Sequence, residues 1–483
     1  MMKGDETGMS VQPEMLFGRK VIYYDDVEIT RQNVRDIVRN IIPVHQENSR
    51  QIDRLYRIFR GEQAVLDKTK SVRAEINNKI IVNYANQIVS FKTGYLLGKP
   101  IQYVSRGERT MDISDEVSQE IDTLNRYASD CDKAAKDVEL AEWFHICGTS
   151  YRMIESNGNA SDGESPFNIY TLDPRYTCVV YSNDVSHKPI MAISTVKKVD
   201  GSIVYNVWTR NKLFVIVEPV EFGESIIDER EHFYGRVPII EYPANNSRLG
   251  AFEIVLSLLD AINAAFSDLA DGREQFINAL LVIKGADITD EQFSELRQQG
   301  GLKVPADGDV KYLVSELNQT QNGETINLMI DTMLEIVGMP KRSGGSGGTS
   351  DNGIAVYLRS GYEDAESRAN DTERIFKKSE NELLRIALRI CNAMRGIKLQ
   401  LSSVEPHFTR QNTDNLLAKV QALTTMLASD KIHPRLAWQL STLVSDPESA
   451  YMISSEYEKQ RIEQEEQLLA ESQTVDNHGG DDL

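Results

Sequence analysis

The most constraining feature of this sequence is a long stretch that contains no helix breaker. Between Gly361 and Gly396, residues 362–395 include neither glycine nor proline. As one helix they would extend about 51 Å at 1.5 Å per residue. The first third, Glu363 to Arg374, is polar on nearly every side, whereas the rest has an apolar face formed by Phe376, Leu383, Leu384, Ala387, Ile390 and Met394. A helix that is polar all round bridges solvent or docks on neighbours through polar contacts, so we expect neighbours that cover it.

The first half of the chain changes from helical to strand periodicity. The spacing predicts one helix from Thr30 that Pro43 interrupts, a second that ends at Gly61, and three more at 83–97, 114–127 and 131–147. Between Thr149 and Glu241, short segments rich in β-branched and aromatic residues alternate with Asn-Gly and Asp-Gly turns. We therefore predict an α+β fold in which this sheet packs on the earlier helices.

A small unit of mixed structure is inserted between two predicted helices. The helix before it has an apolar face from Phe252 to Leu269, and the helix after it begins near Asn322. Over about 273–317 we expect one helix with a capping box of Thr289 and Gln292, and three strands, at Ala279 to Lys284, Lys303-Val304 and Val310 to Val314. A unit inserted in this way stands at the end of a two-helix stalk.

A Gly/Ser-rich run, residues 343–353, separates the stalk from the long helix. Such a run cannot hold regular structure, and we expect a flexible loop, with a passive linker as the alternative. Amphipathic helices follow at 413–428 and 434–444, and Asp446-Pro447 begins a last helix. Eleven acidic residues against Lys459 and Arg461 make the end of the chain strongly acidic.

The charge, the hydropathy and the cysteines narrow the classes of protein to which this chain can belong. The 483 residues include 53 basic and 73 acidic side chains, a formal net charge of −20, and this balance argues against gripping nucleic acid through basic patches. No charge-free apolar stretch approaches the length of a membrane span. The four cysteines fit no zinc or disulfide framework. Composition thus favours an acidic, intracellular, multi-part protein with reduced thiols and no signal peptide.

Catalytic motifs are missing from the sequence. Gly94 to Lys99 has too few residues between its glycines for a phosphate-binding loop, and Pro100 replaces the required Ser or Thr. His145 and Cys147 sit near Trp143 and Phe144, which favours a buried core cluster over a ligand pair. A hydrolase or nuclease would need a site assembled in space. We therefore expect no catalytic residue, no metal ligand and no cofactor.

Three stretches carry a family resemblance. The first runs from Asn77 through a Gly-Tyr-Leu-Leu-Gly-Lys-Pro turn at Pro100, and the second runs from Gly235 to Gly285. The third is Gly338-Met339-Pro340 with the Gly/Ser run and the long helix after it. Together they resemble the portal proteins of tailed bacteriophages, the siphophage type that forms the head–tail connector. The resemblance covers about residues 30–460 and departs from the family pattern at Ala270-Asp271-Gly272, where an Asn-Asp pair is expected.

The resemblance implies a ring, typically a dodecamer, at one capsid vertex. It also implies a division of the chain into an N-terminal arm (1–29), a wing (30–247), a stem helix (248–272), a clip (273–317), a second stem helix (318–340), a tunnel loop (341–360), a long wing helix (361–404), a crown (405–475) and a disordered acidic tail (476–483).

The same resemblance implies a non-enzymatic function without cofactors or membrane contact. A terminase motor would package double-stranded DNA through the ring, and the DNA would later leave through the same channel. The ring would be assembled in the host cytoplasm and would join the head to the tail in the virion. Further implied partners are adaptor or head-completion, scaffolding and major capsid proteins. The implied DNA-facing residues of the tunnel loop are Lys341, Arg342, Ser343, Ser346, Thr349, Ser350 and Asn352. The implied clip contacts to terminase or adaptor are Glu291, Glu295, Lys303 and Lys311.

Two other classes stay open at this level. One is a packaging-associated enzyme, an ATPase or nuclease, against which the missing phosphate-binding loop argues. The other is a minor head protein that forms no ring. The acidic composition favours the conduit, because walls that repel phosphates keep DNA free to slide.

Overall fold

A computed structural model describes most of the chain, in the ranges 18–71, 73–106, 115–218, 226–277, 280–284, 309–313, 319–340, 362–410, 416–429, 431–441, 443–444 and 447–476. The chain divides into two compact units. The larger unit comprises the residues up to Tyr56, Ile88–Ile254 and Gly338 onward, and the smaller unit comprises Arg57–Gln87 and Val255–Val337.

Helices account for much of both units. They are α1 (Val34–Phe59), α2 (Tyr84–Leu96), α3 (Asp115–Asp130), α4 (Lys133–Cys147), α5 (Leu256–Ile277), α6 (Gln319–Val337), α7 (Tyr362–Arg395), α8 (Leu416–Leu427), α9 (Pro434–Ser441) and α10 (Pro447–Asp476). Short 3₁₀ turns lie at Ala64–Asp67, Glu253–Val255 and Leu401–Ser403. None of these helices combines the length and the apolar composition that a bilayer crossing requires.

The strands of the described ranges belong to four sheets. They are β1 (Ile22–Tyr24), β2 (Gln102–Ser105), β3 (Thr149–Ser156), β4 (Phe167–Leu172), β5 (Thr177–Ser182), β6 (Pro189–Lys197), β7 (Ile203–Trp208), β8 (Lys212–Glu218), β9 (Ile226–Glu231), β10 (Ile239–Pro243), β11 (Leu280–Lys284), β12 (Asp309–Leu313) and β13 (Val404–His407). The sheet orders are β1-β5-β6-β7-β8-β9, β10-β3-β4, β11-β12 and β13-β2. All pairs are antiparallel except β1 with β5.

The predicted α+β class is confirmed, and so are most predicted elements. The long helix was expected over 362–395 and α7 has those bounds. The short segments between Thr149 and Glu241 that were predicted to form a sheet include β3 through β8. The periodicity identified these elements because each buries one apolar face in the larger unit. α7 packs with β2, β3, β4 and β10 in one core cluster, and β5 to β8 bury most of their apolar side chains with α1 in another.

One expectation about the first 60 residues was wrong. Pro43 does not interrupt the first helix but lies within α1. A proline inside a helix costs about 3 kcal/mol, and α1 offsets this cost by packing Val34, Ile37, Val38 and Ile41 against the six-stranded sheet. Moreover, part of the segment assigned to an N-terminal arm forms β1, which extends that sheet in parallel with β5.

The long helix α7 is held on the larger unit by a buried cluster of charges. Glu380 accepts hydrogen bonds from the hydroxyls of Tyr103 at 2.6 Å and Tyr242 at 2.7 Å, and its carboxylate lies 3.1 Å from the Lys133 ammonium. Asp137 pairs with Lys133 and Arg152 at 2.7 Å each. The charges of Lys133, Arg152, Asp137 and Glu380 balance, and all four side chains are at most 4% exposed.

This balance keeps Glu380 ionised in the core. Burial alone would raise the pKa of Glu380, but the positive charges of Lys133 and Arg152 and the two tyrosine hydroxyls outweigh it and lower the pKa. The cluster thereby joins α7 to β2, β3, β10 and α4. Removing one member of such a buried cluster of ion pairs is strongly destabilising, because it leaves an uncompensated charge in the core.

Replacing Glu380 with Gln should therefore lower the free energy of unfolding of the larger unit by about 3 to 5 kcal/mol. Glu382→Gln is the matched control two residues along α7, because the Glu382 side chain is 42% exposed in its pair with Arg236. Loss of this exposed pair should lower the free energy of unfolding by at most about 1 kcal/mol. Urea unfolding followed by tryptophan fluorescence measures both. Equal losses in the two variants would contradict the role of the cluster.

Candidate functional site

Most of the residues that the sequence assigned to contacts with DNA or with the motor lie outside the described residues. These are Lys341, Arg342, Ser343, Ser346, Thr349, Ser350 and Asn352 of the tunnel loop, and Glu291, Glu295 and Lys303 of the clip. Lys311 of the clip is described. It lies on β12, where its Cα is paired with that of Val282 on β11.

The smaller unit has the organisation expected of an insertion between two helices. The strands β11 and β12 form an antiparallel pair in sequence between α5 and α6, and α5 packs against α6. The predicted strands at Ala279 to Lys284 and Val310 to Val314 are thus confirmed, with bounds shifted by one residue. The predicted helix from Thr289 and the strand at Lys303-Val304 lie outside the described residues.

One face of α5 binds a neighbouring backbone segment through three buried polar side chains. The amide of Val82 donates to Asn263 Oδ1 at 2.8 Å, that of Ile80 to Ser267 Oγ at 2.9 Å, and that of Asn78 to Asp271 Oδ1 at 2.6 Å. The acceptors follow one another at four-residue steps on the helix, and the donors at two-residue steps on the segment.

The two spacings match because of backbone geometry. Four residues of an α-helix rise about 6 Å, and two residues of an extended chain advance about 6.6 Å. Three successive hydrogen bonds can therefore form without distortion of either partner. We call these three bonds the amide ladder of α5. It satisfies backbone donors that burial would otherwise leave without partners.

Charged groups reinforce the last rung of the amide ladder. Asp271, whose side chain is 3% exposed, pairs with Lys68 at 2.9 Å and also with Lys70, and it accepts a second hydrogen bond from the Asn78 side chain at 2.8 Å. Burial would raise the pKa of Asp271, but hydrogen bonds from Lys70, Asn78 and Lys68 outweigh it and hold the pKa well below its usual value.

The sequence did not predict the amide ladder, although the residues that form it lie in the stretches that carry the family resemblance. Asn78 to Val82 belongs to the first stretch of the family resemblance, and Asn263 and Ser267 belong to the second. The available signal was the four-residue spacing of Asn263, Ser267 and Asp271 beside the apolar face of α5. Asp271 stands in the segment that departs from the family pattern, and here it carries the most heavily bonded rung.

Metal chemistry has no support in the described ranges, where no group of three or more His, Cys, Asp or Glu side chains could hold a metal ion. His145 and Cys147 are buried in the larger unit, as the core interpretation predicted. His145 accepts or donates one hydrogen bond with the Thr93 hydroxyl at 2.9 Å. Burial raises the pKa of the Cys147 thiol to about 12, which leaves the thiol protonated and unreactive.

Replacing Asp271 with Asn should loosen the segment that the amide ladder holds. At pH 7 we expect the free energy of unfolding of the smaller unit to fall by about 2 to 3 kcal/mol, as for hydrogen bonds to a buried charged group. The amides of Asn78, Ile80 and Val82 should then exchange faster with deuterium. Asp268→Asn is the control, because the Asp268 side chain is 66% exposed in its pair with Lys68.

The effect should depend on pH in a defined direction. Because the folded pKa of Asp271 is lowered, its stabilisation is fully present above the unfolded value of about 3.9 and is lost as the pH falls through that value toward the folded one. The difference in the free energy of unfolding between the wild type and Asp271→Asn should therefore become smaller below about pH 4. A difference that stays constant down to the acid limit, or unchanged amide exchange at pH 7, would contradict the role of Asp271.

Comparison with known proteins places the chain among viral structural proteins. The sequence matches the family described as phage portal protein, SPP1 Gp6-like, over residues 38–475. It is 23% identical over 451 residues to the portal protein of Bacillus phage SPP1, covering 89% of this chain and 83% of that protein. A chain from the virion of a native gene transfer agent particle aligns with a TM-score of 0.42 and 13% identity over 75% of this chain and 90% of that chain. Since the family match spans most of its length, this chain belongs to the SPP1 Gp6-like phage portal proteins.

Proposed function

We propose that this chain forms a ring-shaped channel at the capsid vertex, through which a terminase motor packages the DNA and through which the DNA later leaves. The family match over residues 38–475 carries the proposal. The ring, which we expect to be a dodecamer, also joins the head to the tail in the virion. The role is structural, and ATP hydrolysis belongs to the motor.

The organisation of the smaller unit supports this proposal. An antiparallel strand pair lies in sequence between two helices that pack against each other, as a clip carried by a stem requires. We assign α5 and α6 to the stem and the inserted residues to the clip, which meets the terminase and later the adaptor proteins. The proposed contacts in the clip are Glu291, Glu295, Lys303 and Lys311.

The remaining parts of the chain take the other roles. We assign the residues before α5 and the helix α7 to the wing, and the helices α8, α9 and α10 to the crown inside the capsid. Scaffolding and major capsid proteins would contact this assembly while it forms in the host cytoplasm. The proposed tunnel loop contains the DNA-facing residues Lys341, Arg342, Ser343, Ser346, Thr349, Ser350 and Asn352.

The negative net charge of the chain supports a channel that binds DNA only weakly. Each chain carries a net charge of −20, and a ring multiplies this charge by its number of copies. Acidic walls repel the phosphate backbone, so that few counterions are displaced and binding stays weak. In the loop, Lys341 and Arg342 offer two phosphate contacts, while the glycines among residues 343–353 let each copy adopt its own shape against the DNA.

A packaging assay tests both the proposed function and the role of the loop. Heads are assembled without this chain, with the wild type, and with a variant that lacks Gly344 to Gly348, and nuclease-protected DNA is measured. We expect filled heads only with the wild type, and impaired packaging or retention with the loop deletion although the ring still assembles. A deletion of residues 477–481 removes the same number of residues and should package normally.

The outcomes separate the two claims. Equal DNA protection with and without the chain would contradict the portal function itself. Full-length, normally timed packaging by the variant without Gly344 to Gly348 would contradict only the role of the loop, and it would leave that segment as a passive linker.

A further inference from the structure

A groove in the smaller unit lies beside the amide ladder of α5. Its volume is about 580 Å³, within the range of roughly 300 to 1,000 Å³ that is typical of binding pockets. Its apolar lining residues are each partly exposed, and they are Ile80, Phe266, Leu269 and Ala270. We call this surface the α5 groove. Apolar surface that one chain leaves open to water in this way is typical of an interaction site.

One edge of the α5 groove carries a cation without a partner. Arg273 and Glu274 are the charged residues among those that line the groove. Glu274 accepts a hydrogen bond from the Asn78 side chain at 3.0 Å, whereas no carboxylate of the described residues lies within 4.0 Å of the Arg273 guanidinium. The residues three and four positions away from Arg273 along α5 are all non-acidic, so that the neighbouring turns of its own helix supply no anion.

The outward side of α6 presents an exposed leucine between two acids. Leu328 is 67% exposed, more than any other large apolar side chain described in the smaller unit. Glu324 precedes it by four residues and Asp331 follows it by three, so that these three residues lie on one face of the helix. We call them the outer face of α6. The opposite face is the buried one, with Ile326, Met333 and Val337.

The two acids of this outer face also lack partners. The helix Gln319–Val337 contains no lysine, arginine or histidine, and no cation of the described residues lies within 4.0 Å of the Glu324 or Asp331 carboxylate. The outer face of α6 thus has an apolar centre with negative charge one turn away. The α5 groove has an apolar floor with positive charge one turn beyond Leu269, so that the two surfaces are complementary in polarity and in charge.

We propose that Leu328 on α6 of one copy of this chain packs in the α5 groove of a second copy, where Glu324 or Asp331 pairs with Arg273. Within one chain α6 packs against α5 while Leu328 stays exposed, so that the outer face does not fill the groove of its own chain. Because the outer face and the groove are different surfaces on two helices, the contact is heterologous, and its repetition generates a ring if the rotation closes. This inference rests on the proposed ring and names residues that would join its subunits.

Substitutions on each side test the contact by their effect on assembly. Leu328→Asn and Arg273→Glu should each raise the chain concentration needed for half-assembly about tenfold, as for loss of a coupled contact. Glu324→Lys with Asp331→Lys should weaken assembly in the same way, and their combination with Arg273→Glu should restore most of it. Val185→Asn is the control, because Val185 is 99% exposed in a turn of the larger unit and should leave assembly unchanged. Mass photometry over a dilution series gives these concentrations.

A stability measurement separates this contact from a structural role within one chain. Leu328 and Arg273 are exposed in the single chain, so that the dilute, unassembled variants should melt at the wild-type temperature. A lower melting temperature of Leu328→Asn together with normal assembly would overturn the proposal and assign Leu328 to internal packing.

Disulfide cross-linking identifies the partner directly. Rings are assembled from equal amounts of a chain with Leu269→Cys and a chain with Leu328→Cys, and a mild oxidant is added. The native cysteines are buried and should stay unreactive. We expect linked pairs that contain one chain of each kind, whereas a mixture of Leu269→Cys with Val185→Cys should give none.

Two results of the cross-linking would overturn the contact. One is the absence of linked pairs from the mixture of Leu269→Cys with Leu328→Cys. The other is a disulfide that closes within a single dilute chain carrying both substitutions, because the groove would then be filled by the helix of its own chain.

Failure of this inference differs from failure of the proposed function. Normal ring formation by the wild type, with unaffected assembly of Leu328→Asn and Arg273→Glu, would overturn the contact alone. Absence of any assembly by the wild type would overturn the proposed function and the contact together.

Discussion

The neutral cluster of Lys133, Asp137, Arg152 and Glu380 is the interaction on which the larger unit depends. It lets α7 cross the core with a charged side chain at its centre, because two tyrosine hydroxyls and two cations satisfy that carboxylate. The apolar face of the same helix packs around it with β2, β3, β4 and β10. The later part of α7 is thus fixed within its own chain, while its first third keeps polar surface that the chain does not bury.

The features that the sequence predicted are those set by local preference, and the features that it did not predict depend on contacts between distant residues. The bounds of α7 were predictable, because a stretch without glycine or proline between Gly361 and Gly396 has a strong local preference. The continuity of α1 through Pro43 was not, because packing against the sheet overrides the local cost. The charge cluster and the amide ladder were also hidden, because each joins residues that lie far apart in the chain and only their polarity is visible locally.

The amide ladder joins two separate stretches of the family resemblance in this chain. The Asn78 to Val82 stretch and the α5 residues Asn263 and Ser267 bind each other with matched spacings. A backbone segment held by side chains at three points tolerates sequence variation at the positions between them. The proposed portal role would use this rigidity, because a stem that carries a clip must keep its shape while DNA moves past it.

Electron microscopy of the purified chain tests the central claim most directly. The account predicts end-on views of a closed ring with a central channel wide enough for double-stranded DNA, with the same number of subunits in most particles. Particles that stay monomeric at micromolar concentration, with and without scaffolding and capsid proteins, would contradict it.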